Sequence, residues 1–294
     1  MPGSDTFVLG LVQMSMAVDK PTNLATATRL VRDAAQRGAQ IVCLPELFLT
    51  HYFCQTEDYT TFDLAEPIPG PSSEALAAVA RENGVVLMAS LFEKRMPGVY
   101  HNTSIVYNPN GETVGLYRKM HIPDDPLFYE KYYFTPGDLG YKAYSTTAAK
   151  VGPLVCWDQW YPEAARLTAL QGAEVLVYPT AIGWHPQEKA EYGTPQHDAW
   201  EVSMRAHAVA NGIYVAAINR IGHEGPTPGG LEFWGGSFVA DPMGTILAKA
   251  SSDQEEVLIV ECKRSRMEFV RRNWPFFRDR RIDSYAGITQ RVND

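Results

Sequence analysis

Short apolar runs alternate with amphipathic stretches along almost the whole chain, and this alternation is the tightest constraint on its fold. Phe7–Gln13, Ala39–Pro45, Val85–Leu91, Val151–Cys156, Val175–Pro179, Ile213–Ile218 and Val257–Cys262 each read as a buried strand. Between the first two, Leu24–Gln36 sets apolar residues at Leu24, Ala27, Leu30, Val31, Ala34 and Ala35, the spacing of one helix face. Asp19–Asn23 supplies its start and Gly38 its stop. Ser72–Asn83, Pro162–Gly172 and Trp200–Asn211 read as further helices, the first of them capped by Ser72 or Ser73 and ended by Gly84. Two hairpins break the series. One joins Tyr100–Tyr107 to Thr113–Arg118 around Asn108-Pro109-Asn110-Gly111, the other Phe233–Ala240 to Thr245–Ala250 around Asp241-Pro242-Met243-Gly244. Such an order predicts an α/β layered protein with a mixed sheet. No repeat or linker interrupts it, so residues 1–294 are expected to form one domain, with 263–294 as a C-terminal arm.

A chain of 294 residues, 45% hydrophobic and 20% charged, can bury a full core and is not disordered. Its net charge of −8 argues against sequence-independent nucleic-acid binding, which depends on neutralising phosphates. Cys43, Cys54, Cys156 and Cys262 form no C-x-x-C pair and read as free thiols. The start Met1–Thr6 lacks a basic leader region and no apolar run reaches membrane length, so a soluble, cytoplasmic protein is expected. The stretch Lys263–Arg281 is locally basic, with Arg271, Arg272, Arg278, Arg280 and Arg281. Glu268, Asp279 and Asp283 are interleaved with these arginines, so they are expected to pair with carboxylates of this chain or of a partner subunit. Trp274, Phe276 and Phe277 on the same arm would otherwise be an exposed apolar patch, and predict a homo-oligomer built on a dimer.

Three segments put a reactive residue where a strand ends. Glu46, in Leu44-Pro45-Glu46-Leu47-Phe48, is a carboxylate in apolar company; its charged form is disfavoured there, which suits a base near neutral pH. Lys119, in Tyr117-Arg118-Lys119-Met120-His121, can stabilise a developing oxyanion. Cys156, ahead of a helix opening near Pro162, lies where backbone amides favour a thiolate. Taken singly, a buried structural glutamate, a solvated lysine and an inert core cysteine are the commoner readings of the first two and of a lone Cys. Together they suggest a Glu–Lys–Cys triad. No G-x-S-x-G elbow, G-x-G-x-x-G loop or Walker motif occurs, and no Cys/His spacing suits a metal, so no cofactor or metal is expected. A papain-like Cys/His pair through His121 or His185 stays open as second best.

The three segments, in this order, resemble the signature motifs of the nitrilase superfamily of carbon–nitrogen hydrolases. The resemblance extends to Ala216–Gly222, Phe233–Pro242 and Trp274–Arg281, and so covers nearly the whole chain. It implies a four-layer α-β-β-α sandwich whose subunits pair through helical faces. It also implies roles: Glu46 as general base, Lys119 as oxyanion stabiliser, Cys156 as nucleophile, and Glu130 as the second glutamate typical of the family. Pro153 departs from the usual β-branched residue and puts the regularity of its strand in doubt.

The residues after Cys156 should line the pocket. They are Trp157-Asp158-Gln159-Trp160-Tyr161, without the arginine or histidine by which family members that act on ureido acids hold a carboxylate. Trp157, Gln159, Trp160, Tyr52 and Trp184 are therefore the candidate substrate-binding residues. With Phe53 and the acids of the loop Ile182–Tyr192 they would suit a small ureido or amide substrate carrying an ammonium. This part of the chain resembles family members that hydrolyse carbamoyl amines. A β-ureidopropionase or ω-amidase is the alternative enzyme, and a catalytically dead interaction module the alternative outside enzymes.

Overall fold

The computed structural model describes residues 4–293; Met1–Gly3, on which part of the reading of the N-terminus rests, and Asp294 lie outside the described residues. The first half holds β1 (Thr6–Gln13), α1 (Lys20–Gln36), β2 (Ile41–Cys43), α2 (Pro71–Asn83), β3 (Val86–Met96), β4 (Val99–Tyr107) and β5 (Thr113–Arg118). There follow α3 (Glu130–Tyr133), β6 (Tyr144–Ser145), β7 (Lys150–Pro153), α4 (Pro162–Leu170), β8 (Val175–Pro179), β9 (Gly183–Trp184) and α5 (Lys189–Asn211). The last third contains β10 (Tyr214–Ile218), β11 (Ile221–Glu224), β12 (Leu231–Trp234), β13 (Phe238–Ala240), β14 (Ile246–Lys249), β15 (Glu256–Lys263) and α6 (Arg264–Asn273).

Two six-stranded sheets dominate. The first runs β15-β1-β2-β3-β4-β5, with β1, β2 and β3 parallel and the outer strands antiparallel. The second runs β14-β13-β10-β8-β7-β6, with β10, β8 and β7 parallel. One core joins their facing sides: Leu9, Leu11, Cys43 and Met88 of the first sheet share a cluster with Val151, Val177 and Ala217 of the second. Leu30 and Val31 of α1 and Leu76 of α2 cover the outer face of the first sheet, packing on Val42 and Leu87. Ala165 of α4 and Trp200 and Met204 of α5 join the core on the second. The layers are therefore α-β-β-α. Central strands covered on both faces need apolar residues at every position, which is why they read as continuous runs.

Several elements differ from the sequence reading. The helix expected over Trp200–Asn211 begins at Lys189, so Lys189–Tyr192 is helix rather than loop; Gly193 and Pro195, poor helix formers, mask its start. The strand expected over Phe233–Ala240 is cut in two at Gly235 and Gly236, with φ of 54° and 62°, where the chain passes from the small sheet β11-β12-β9 into the second sheet. A Cβ at Gly235 would stand 2.7 Å from the Ser252 carbonyl oxygen, so only glycine fits. The strand expected over Val151–Cys156 stops at Pro153. Its neighbour β6 pairs no further than Val151, so the missing proline donor faces no partner strand. Arg272, Arg278 and Arg281 of the arm pair with Glu268, Asp279 and Asp283, and Arg264 and Arg266 with Glu174 and Asp241, but Arg271 donates to the Asn211 carbonyl and Arg280 stands over the Tyr285 ring instead of meeting a carboxylate. Among the described residues, no helix is long and apolar enough to cross a membrane.

Candidate active site

The C-terminal ends of three strands converge. Glu46 follows β2 by three residues, Lys119 follows β5 directly, and Cys156 follows β7 by three residues. The loop after Lys119 folds back so that Glu130, opening α3, reaches the same point. Glu46, Lys119 and Glu130 are fully buried and Cys156 is 4% exposed. Lys119 Nζ bridges the two carboxylates, donating to Glu46 Oε1 at 2.9 Å and to Glu130 Oε2 at 2.6 Å. Asn102 Nδ2 donates to Glu46 Oε1 at 2.6 Å, and the Tyr52 hydroxyl to Glu130 Oε1 at 2.6 Å. Glu46 Oε2 is left as a buried acceptor without a partner. Cys156 has φ of 40° and opens the short 3₁₀ turn Cys156–Trp160. Asp158 holds that turn, accepting from the Val155 N–H, the Tyr117 hydroxyl and the His121 N–H.

Burial sets the electrostatics. It pushes the Cys156 thiol well above the ordinary range, the Glu46 charge adds to that, and Lys119 opposes it. The expected preformed thiolate is thus replaced by a neutral thiol beside a carboxylate, a pair that needs proton transfer to react. Burial alone would lower the Lys119 ammonium, but Glu130 and Glu46 outweigh it and keep the lysine charged. Burial lifts Glu130 from 4.5 to about 7, Lys119 pulling it down and Glu46 pushing it up.

Cys156 opens onto a cavity of about 360 Å³, within the range of small-ligand sites. Its walls include Trp157, Trp160 and Trp234, and its polar lining is Asp125, Glu130, His185, Glu188 and Gln196. No lysine or arginine is among the described residues that line it.

The family profile described as carbon-nitrogen hydrolase matches residues 8–272. This chain belongs to the carbon–nitrogen hydrolase family. It is an amide-hydrolysing enzyme of that family, with relatives along most of its length. The hydrolase is 45% identical over 279 residues to an N-carbamoylputrescine amidase of Solanum lycopersicum, covering 93% of this chain and 92% of that protein. To a citrullinase of Francisella tularensis it is 38% identical over 284 residues, covering 96% and 98%. A crystal structure of a carbon–nitrogen hydrolase from Helicobacter pylori G27 superimposes with a TM-score of 0.95 at 46% identity, covering 98% and 100%.

Of the hydrolase's candidate substrate residues, the structure places Trp157 and Trp160 on the cavity wall and three others off it. Tyr52 stands behind Glu130, its hydroxyl spent on that carboxylate. Gln159 turns into the core, where its Oε1 accepts from Trp200 Nε1 at 2.7 Å. Trp184 donates its indole N–H to the Gly193 carbonyl and lines a neighbouring cleft. Phe53 packs among Phe92, Tyr133 and Phe134. His121 binds Asp158 through Nδ1 and stacks on Tyr161, so it is no partner for the Cys156 thiol. The sequence reading gave no role in the site to Asn102, Asp125 or Arg220. Asn102 lies in the polar run His101-Asn102-Thr103-Ser104 of the buried strand β4, and that run was the available signal.

Proposed function

We propose that this hydrolase cleaves N-carbamoylputrescine to putrescine, carbon dioxide and ammonia by the Glu46–Lys119–Cys156 triad, with Glu130 beside it. The observation that carries the substrate reading is the cavity lining: Asp125 and Glu188 stand at it, and among the described residues no lysine or arginine lines it, Lys119 being buried beneath with the triad. A substrate whose far end is an ammonium fits that lining, and the amidase relatives act on such a compound by their names. Cys156 Sγ passes its proton to Glu46 Oε2 and attacks the ureido carbon. Lys119 holds the oxyanion, the C–N bond to the terminal nitrogen breaks, and Glu46 returns the proton to the departing ammonia. Glu46 then takes a proton from water, which attacks the carbamoyl thioester and frees the thiol. The carbamic acid released loses carbon dioxide. We read residues 1–294 as one hydrolase domain acting in the cytoplasm, with 263–294 as an arm that joins subunits into a homo-oligomer.

Kinetics on four compounds test the substrate. N-carbamoylputrescine is expected to exceed uncharged N-butylurea by up to about fivefold in kcat/KM, because Asp125 and Glu188 are exposed and a charge contact with an exposed carboxylate is worth at most about 1 kcal/mol. Citrulline and 3-ureidopropionate, which bring a carboxylate to Asp125 and Glu188, are expected to be poorer still. Preference for either of these two would replace the ammonium reading with that of a citrullinase or β-ureidopropionase.

A further inference from the structure

Arg220 lies in the Ala216–Gly222 segment, to which the proposed chemistry gives no role. It follows β10 of the second sheet and is fully buried. Its guanidinium crosses to the first sheet and grips the loop after β2. Nη2 donates to the Glu46 carbonyl at 2.6 Å and the Leu47 carbonyl at 3.1 Å; Nη1 donates to the Thr50 carbonyl at 3.2 Å. Leu47 has φ of 47°, a conformation a leucine rarely adopts and keeps only when its surroundings impose it.

Nη1 also donates to Glu224 Oε1 at 2.9 Å, and Glu224 is 2% exposed. The other oxygen of Glu224 accepts the Tyr52 N–H at 2.5 Å. Tyr52 in turn donates its hydroxyl to Glu130. One buried ion pair therefore fixes the main chain under Glu46 and the residue that aims Glu130. A buried pair gains little net stability over apolar residues of the same size, so stability does not explain it. Its donors fit the carbonyls of a strained loop that carries the base.

We propose that Arg220 and Glu224 are positioning residues that hold the Glu46 carboxylate against Cys156 and, through Tyr52, set Glu130. The proposal rests on the triad reading above. Displacing a reacting group by about 1 Å lowers a rate by about 100-fold. Glu224→Gln keeps the shape and the acceptor for Tyr52 but removes the charge that orients the guanidinium. Arg220→Lys keeps a cation against Glu224 but cannot fork to Glu46 and Leu47.

The test measures kcat and KM on N-carbamoylputrescine, the pH dependence of Cys156 alkylation by iodoacetamide, and thermal melting, for both variants beside Cys156→Ala. The expected result is a folded protein with kcat down by about 100-fold, KM within about threefold, and an alkylation midpoint displaced downward in pH, because a Glu46 charge moved away no longer opposes the thiolate. The alkylation arm needs no substrate, so it reads the clamp even if another amide is the true substrate. Wild-type kcat and alkylation in both variants overturn the proposal. So does a lowered melting point with unchanged kcat, or loss of the folded state in both variants, since each makes the pair structural. Activity surviving in Cys156→Ala sinks the triad reading itself, whatever the variants do.

Discussion

Burial pushes the Cys156 thiol up and lifts Glu130 to about 7, and each shift yields a measurable consequence. A neutral thiol beside a buried carboxylate reacts only after handing over its proton. Cys156→Ala is expected to abolish ammonia release while far-ultraviolet circular dichroism stays as in the wild type, and Cys156→Ser to be nearly inactive, since a hydroxyl is far less acidic. Dialysis against EDTA is expected to leave the rate unchanged; a loss restored by added metal would contradict the proton-transfer chemistry. Glu130 binds a proton in the folded protein up to about pH 7 and in the unfolded chain only up to about 4.5. Between these values folding takes up a proton, so this group makes stability fall as pH rises through about 7. Glu130→Gln removes that slope: urea midpoints at pH 5 and pH 8 should lie closer together than in the wild type. Glu46, Lys119 and Cys156 could be singled out because each lies within three residues of the end of an apolar strand and their order resembles the family's motifs. Arg220 and Asn102 could not, because their partners lie far away in sequence: Arg220 reaches residues 170 to 174 positions distant and Asn102 one 56 away.

Elements were legible where local signals agree. Gly84 ends α2 at φ of 63°, and Asn110-Gly111 turns β4 into β5 as read. Misreadings came where long-range packing decides. Nothing local says that Phe233–Ala240 must change sheets, since Trp234 and Phe238 both look like strand residues. The need lies in the Ser251 and Ser252 carbonyls on the other side of the turn. Gly235→Ala should therefore combine left-handed strain with overpacking and lower unfolding stability by about 2–4 kcal/mol, read from urea denaturation. A stability within experimental error of the wild type would show that the crossing tolerates a side chain.

At the scale of the whole molecule, the second helical layer and the arm leave apolar side chains uncovered. Leu167 and Leu170 of α4, Val202 of α5, Phe269 of α6, Trp274 and Phe276 are each 42–59% exposed. Light scattering at micromolar concentration should give a multiple of 32.7 kDa; a stable monomer would contradict the oligomer. The four layers were expected from family resemblance, and the alternation alone reaches only as far as an α/β protein with a mixed sheet. It cannot say that six strands stop and six more begin, because both sheets are built from the same apolar runs.

Glu46 and Lys119 hang from one sheet and Cys156 from the other, so the distance between the proposed base and the proposed nucleophile is a spacing between two slabs. The filler between them, from Leu9 and Cys43 to Val151 and Val177, acts as a shim. Thinning or thickening it moves the reacting groups together or apart without touching either. On the proposed chemistry, activity is then a gauge of inter-sheet thickness, and neither slab can change its inner face without the other answering.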